Sequence, residues 1–157
     1  MNIVYYCYGG AHSSVLAAGI HLGLLPLDKV PDAADIESLP RYDKAKPSEI
    51  GNIYYMGKDE YNNCVYTIGM GSHRELIKQA VISLLEVSGA NTSDLLLISS
   101  LDNINLKTRI GGFSSRRLGL VGFGRPLTIK GLQEKYRCFC DLVKGVKERE
   151  KNGSRKA

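Results

Sequence analysis

The 157-residue sequence predicts an α/β fold, a three-layer sandwich whose mostly parallel central sheet has about five strands and one hairpin. Three observations predict it. β-prone and helical patterns alternate along the chain, glycine clusters follow the β-prone runs, and two such runs flank a short polar turn. A content of 43% hydrophobic and 24% charged residues suits one globular unit. A domain over residues 1–147, followed by a basic frayed tail over 148–157, accounts for the length.

Ile3 to Tyr8 is apolar on both faces, as a buried parallel strand would be. It breaks at Gly9-Gly10 and passes through Ala11-His12-Ser13-Ser14 into a helix that Ser13 or Ser14 can cap. Leu16, Ala17, Ile20 and Leu24 form the stripe of that helix. Pro26 and Pro31 end it. Residues 28–51, rich in Pro, Asp, Lys and Ser, are the longest weakly patterned stretch, a length typical of a functional or mobile loop.

Asn52 to Met56 and Asn63 to Ile68 read as a hairpin around Gly57–Asn62. The second run leads into Gly69-Met70-Gly71. Ser72 and Glu75 then have capping-box spacing for a helix with Leu76, Ile77, Ala80, Val81, Leu84 and Leu85 on its apolar face. Leu95 to Ser99 is a central strand. Gly111–Arg117 reads as a loop, Leu118–Val121 as a short strand and Gly122–Pro126 as another glycine loop. Thr128 is the expected cap of a last helix with Leu132, Tyr136, Phe139, Leu142 and Val143 facing the core.

The net charge of +5 gathers at the C-terminal end, where Asp141, Glu148 and Glu150 dilute the basic residues. That mixture argues for a solvated end and against a nucleic-acid surface. Cys138 and Cys140, two apart on a helix, point in different directions, and the four cysteines lack metal-ligand spacing. His12 and His21 lie nine residues apart with no carboxylate at a fixed spacing, so no metal site is expected. Without a basic leader or an apolar run near the ~20 residues a membrane span needs, a cytoplasmic protein with free thiols and no membrane contact is expected.

The glycine loops after the strands should meet at the C-terminal edge of the sheet, the usual ligand crevice of open α/β folds. A strand, a glycine loop and a helix N-terminus gather unpaired amides suited to an anion. Gly9, Gly10, Ser13 and Ser14 are the expected backbone and hydroxyl donors, and Arg116, Arg117 and Arg125 the expected cations, with Arg109 as another. The loop is not a Walker P-loop, since it lacks the lysine and the spanning glycines.

Cys7-Tyr-Gly-Gly-Ala-His-Ser-Ser14 resembles two cysteine loops: the phosphocysteine loop of sugar phosphotransferase IIB domains and the loop of low-molecular-weight tyrosine phosphatases. Against the second pattern Cys7, Gly9 and Ser14 match, while Ser13 occupies the position of the arginine that clamps the phosphoryl group. The resemblance implies Cys7 as a nucleophile, with His12 or Asp102 handling the leaving-group proton. The alternative for Cys7 is a small core hydrophobe at a strand end.

Over about 140 residues, the His12-Ser13-Ser14 loop, Gly57-Lys-Asp59, Gly111-Gly-Phe-Ser-Ser-Arg-Arg117 and Gly124-Arg-Pro126 resemble an uncharacterised family of endospore-forming Gram-positive bacteria. That resemblance implies a small cytoplasmic bacterial protein and supplies no activity. Two readings stand at this point. The chain binds a phosphorylated small molecule or nucleotide, as a phosphotransferase- or phosphatase-like enzyme, with His12 or Cys7 doing the chemistry. Alternatively it is a non-catalytic regulatory or interaction protein. RNA binding through the basic end is a weaker third option, and no cofactor is indicated.

Overall fold

Alternation along the first strand sets the layering. In β1 (Asn2–Cys7), Ile3 and Tyr5 enter one core while Val4 and Tyr6 enter another on the opposite face. The computed structural model describes residues 1–116 and 120–154. After β1 come α1 (Ser13–His21), α2 (Ala33–Ser38), β2 (Ile53–Lys58), β3 (Cys64–Gly69) and α3 (Arg74–Val87). β4 (Leu95–Ser99), α4 (Leu106–Arg116), α5 (Val121–Glu134) and α6 (Tyr136–Ser154) complete the order, with 3-10 turns at Pro47–Glu49 and Thr92–Asp94.

The sheet has four strands in the order β2-β3-β1-β4. β1 pairs in parallel with β3 and with β4, and β2 pairs antiparallel with β3, as the hairpin signal predicts. Leaving β1, the chain builds the β2–β3 side first and then crosses through α3 to β4. The direction of winding therefore switches at β1, and the C-terminal end of β1 is where such sheets open a crevice.

The larger core joins Ile3 and Tyr5 to Leu16 and Ile20 of α1 and to Phe139 and Val143 of α6. Tyr136 of α6 is buried there too, its hydroxyl donating to the Pro26 carbonyl at 2.6 Å. On the other face, Val4, Tyr6, Ile68 and Met70 meet Ile77 of α3. The sequence pattern locates α3 but not its depth: no residue of α3 is buried, and Leu76 and Leu84 stay exposed. Its expected capping box does not form, since His73 is the N-cap and no side chain caps the helix. The stretch expected as a frayed tail from residue 148 begins as helix, because α6 continues to Ser154 and buries Glu150.

The segment after β4 departs furthest from expectation. No fifth strand forms among the described residues, and Val121 opens α5 instead. Residues 118 and 119 of the expected strand lie outside the described part. Gly111-Gly112 and Gly122–Pro126 are helical rather than loops, and Thr128 lies within α5, where its hydroxyl donates to the Gly124 carbonyl.

These glycines allow two helix backbones to touch. A Cβ on Gly124 would stand 2.5 Å from the Ser115 nitrogen and 2.6 Å from the Gly111 oxygen; one on Gly111 would stand 2.6 Å from the Thr128 nitrogen. A stripe of Thr108, Gly111 and Ser115 on α4 thus meets Gly124, Thr128 and Gly131 on α5 at helical spacing.

Two alanine substitutions in the same helix should separate this role from backbone freedom. Gly124→Ala forces backbone against backbone and should cost roughly 1–3 kcal/mol, a melting temperature several degrees lower. At Gly122 a Cβ meets nothing within 4 Å, so Gly122→Ala should be neutral or raise stability by up to about 1 kcal/mol. Thermal melts followed by circular dichroism compare the two.

Candidate functional site

The ends of the three parallel strands open on a cavity of about 960 Å³. Its walls include Cys7–Gly9 and Ala11–Ser13 at and beyond the end of β1, Gly71, Ser72 and Arg74 after β3, Leu101 and Asp102 after β4, and one side of α4. The loops are locked together near the strand ends. Met70 donates its N–H to the Cys7 carbonyl at 2.9 Å, Gly71 to that of Tyr8 at 2.8 Å, and Ser100 to that of Tyr6 at 3.0 Å. Gly10 takes a left-handed φ of 67°, and a Cβ there would lie 2.7 Å from the Gly69 nitrogen. A glycine is required at that contact on both counts.

Cys7, the last residue of β1, lines the cavity and is almost wholly buried. Its sulfur accepts the Gly10 N–H at 3.1 Å and stands 3.1 Å from the Ser14 hydroxyl. The serines expected to cap α1 are used differently. His12 is the N-cap without a side-chain cap bond, Ser14 serves the sulfur, and Ser13 Oγ stands 3.1 Å from Ser100 Oγ. Ser100 in turn donates to the Tyr6 carbonyl at 2.8 Å.

The His12 loop and the segment around residue 115 do come together, through a residue that the sequence reading missed. Asp43 lies in the weakly patterned stretch, at a left-handed φ of 51°, and its N–H donates to the Ala11 carbonyl at 3.0 Å. Its carboxylate is fully buried, 3.0 Å from His12 Nε2, and accepts the Ser115 hydroxyl at 2.9 Å and Arg125 Nε at 3.0 Å. Burial alone would push this carboxyl upward, but the bonds from His12, Ser115 and Arg125 outweigh it and hold the pKa at about 2. Tyr42 packs edge-on against the His12 ring, with centroids 5.4 Å apart.

Among the described residues, one cation expected from the sequence, Arg109, lines the cavity together with two that were not expected. Arg125 serves Asp43 rather than lining the cavity. Arg117 and the side chain of Arg116 lie outside the described residues. Arg109 does line it, with Arg74 at the start of α3 and Lys46 beside the first 3-10 turn. His12, Ser13, Gly9 and Asp102 line it as well, whereas Gly10 and Ser14 act from behind through Cys7. Phe113 and Leu106, both exposed, add an apolar edge from α4.

This arrangement of a cysteine loop, a buried aspartate and a helical hairpin occurs in a chain whose residues 2–148 match the DUF3189 family, described as proteins of unknown function. The chain belongs to that family. No curated protein and no solved structure matches it. Among the described residues, no helix is long and apolar enough to cross a membrane.

Asp43 predicts a specific acid sensitivity. Its pKa falls from the ordinary 3.8 to about 2 on folding, so its contribution to stability is complete above about pH 4 and disappears as pH drops toward 2. Asp43→Asn should therefore lower stability at neutral pH and flatten the dependence across that window, where the native carboxylate contributes roughly 1–2 kcal/mol. Melting temperatures of both proteins from pH 2 to pH 7 test this; parallel curves would refute it.

Proposed function

We propose that the cavity binds a phosphate monoester, of a small molecule or a nucleotide, and that Cys7 receives its phosphoryl group. One observation carries the reading: Cys7, whose sulfur is contacted by the Gly10 amide and the Ser14 hydroxyl, lines the same cavity as Lys46, Arg74 and Arg109. The Gly10 N–H on the sulfur suits a nucleophile at that position, and cations lining the same cavity suit the charge that builds on the phosphoryl oxygens. The arginine missing at Ser13 is replaced, in this reading, by cations from other elements.

The step balances with groups in the cavity. Cys7 Sγ, as thiolate, forms a bond to phosphorus while the ester P–O bond breaks, and the departing oxygen takes a proton from His12, which Asp43 orients. Asp102 lines the cavity as the other available proton donor. Water, or an acceptor alcohol, then gives its proton to the now neutral His12 as its oxygen bonds to phosphorus, and the S–P bond breaks to restore the thiolate. Free Cys7, Cys64, Cys138 and Cys140 support a reducing, cytoplasmic setting.

A second reading, a non-catalytic interaction protein, draws support from the exposed Leu76, Leu84 and Val87 of α3. One set of measurements separates the two. Phosphate, sugar phosphates and nucleotides should raise the melting temperature of the native chain, at least one of them by several degrees. Cys7→Ser should retain that stabilisation yet lose roughly a thousandfold or more in hydrolysis of p-nitrophenyl phosphate. Arg109→Ala should weaken anion binding about tenfold. Folded protein that no such anion stabilises would exclude the phosphate reading and leave the interaction surface on α3.

A further inference from the structure

At the opposite end of α1 from His12, three side chains that the cavity does not use converge. His21 closes α1, Asp59 lies in the β2–β3 turn, and Glu150 lies near the end of α6. His21 Nε2 stands 3.2 Å from Asp59 Oδ2 and 3.2 Å from Glu150 Oε1, with all three side chains at most 1% exposed. Their ligating atoms lie within 4.8 Å of one another, the one such group of His, Cys, Asp and Glu among the described residues. We infer that His21, Asp59 and Glu150 form a binding site for a divalent transition-metal ion, with Zn²⁺ the best match to one imidazole and two carboxylates.

Spacing, orientation and chemistry each support the assignment. A tetrahedral Zn²⁺ with bonds of ~2.0–2.2 Å sets neighbouring ligand atoms ~3.3–3.6 Å apart, close to the separations of Nε2 from the two oxygens. Nε2 carries at most one hydrogen, while two carboxylate oxygens stand equally near it; a cation engages all three atoms at once.

The surroundings already hold two of the ligands in place. The Tyr5 hydroxyl lies 2.8 Å from His21 Nδ1, so an Nδ1–H can donate to it and leave Nε2 bare for a metal. Asp59 Oδ1 accepts the N–H groups of Tyr61 and Asn63 at 2.9 and 2.8 Å, and its Oδ2 accepts the Asn63 side-chain amide at 3.0 Å. An ion here would join α1, the hairpin turn and α6, a structural task independent of the phosphate reading.

The test uses the full chain, stripped with EDTA and retitrated. Elemental analysis should find about one Zn²⁺ per chain, and added Zn²⁺ should raise the melting temperature by several degrees. Co²⁺ should give the intense visible bands of a low-coordinate site without a thiolate charge-transfer band. Glu150→Gln should weaken the affinity at least about tenfold. Wild-type protein that is folded yet unmoved by Zn²⁺ and Co²⁺ overturns the assignment, whether or not the variant folds. A thiolate band, or unchanged affinity in folded Glu150→Gln, overturns it equally, because either would place the ion elsewhere.

Discussion

A carboxylate with no exposure to water is the constraint on which the rest of the molecule depends. Asp43 reaches the β1–α1 loop through His12 and Ala11, α4 through Ser115 and α5 through Arg125. Removing one partner from such a buried charge typically costs about 3–5 kcal/mol, because the remaining charge is left uncompensated out of water. The helical hairpin of α4 and α5 contributes no strand to the sheet, and Asp43 ties it to the loop that follows the central strand. Since Arg109, Gly112 and Phe113 of α4 form one wall of the cavity, the position of that wall relative to Cys7 follows from where Asp43 sits. The left-handed backbone at Asp43 fits the same account: an unfavoured conformation is tolerated where surrounding bonds over-determine it.

The sheet was largely legible in the sequence because its signals are local. β1, each strand of the hairpin and β4 declare themselves within six residues, Gly69 closes β3, and the glycines at 9, 10 and 71 follow strands as expected. Asp43 was not legible. Its partners lie 31, 72 and 82 residues away, and nothing among its neighbours in a polar stretch distinguishes it from a solvated charge. Lys46 and Arg74 were missed for the same reason. Each stands in a segment whose local pattern says only loop or helix start, and the topology alone brings them to the cavity.

Glycine misled the reading of the second half because one residue type answers two different needs. Gly10 is required by a left-handed φ as well as by a close neighbour, which is the turn-like use that sequence reasoning assumes. Gly111 and Gly124 sit in helix, where the absence of a Cβ lets α4 and α5 approach. A signal did exist. Thr108, Gly111 and Ser115 repeat at helical spacing, as do Gly124, Thr128 and Gly131, whereas turn glycines have no reason to keep that period. Periodicity of small residues, and not only of apolar ones, would have separated helix packing from a loop.

The placement of charge around Cys7 follows from the same tertiary packing. Where a cysteine loop carries its own arginine, nucleophile and cation move together, and their geometry is a property of about eight consecutive residues. Here Ser13 holds that position and bonds sideways toward Ser100, so the loop itself supplies amides and hydroxyls but no guanidinium. Lys46, Arg74 and Arg109 reach the cavity from three separate segments. Their distance from the sulfur is then set by the Gly10–Gly69 backbone contact and by the Asp43 bonds, both far more sensitive to the whole fold than a single loop would be. A cavity near 960 Å³, walled by several elements and edged by Phe113 and Leu106, has room for the organic part of an ester beside its phosphate. In the phosphate reading proposed above, spreading the cations across the fold would tie recognition of the charged group to recognition of what carries it.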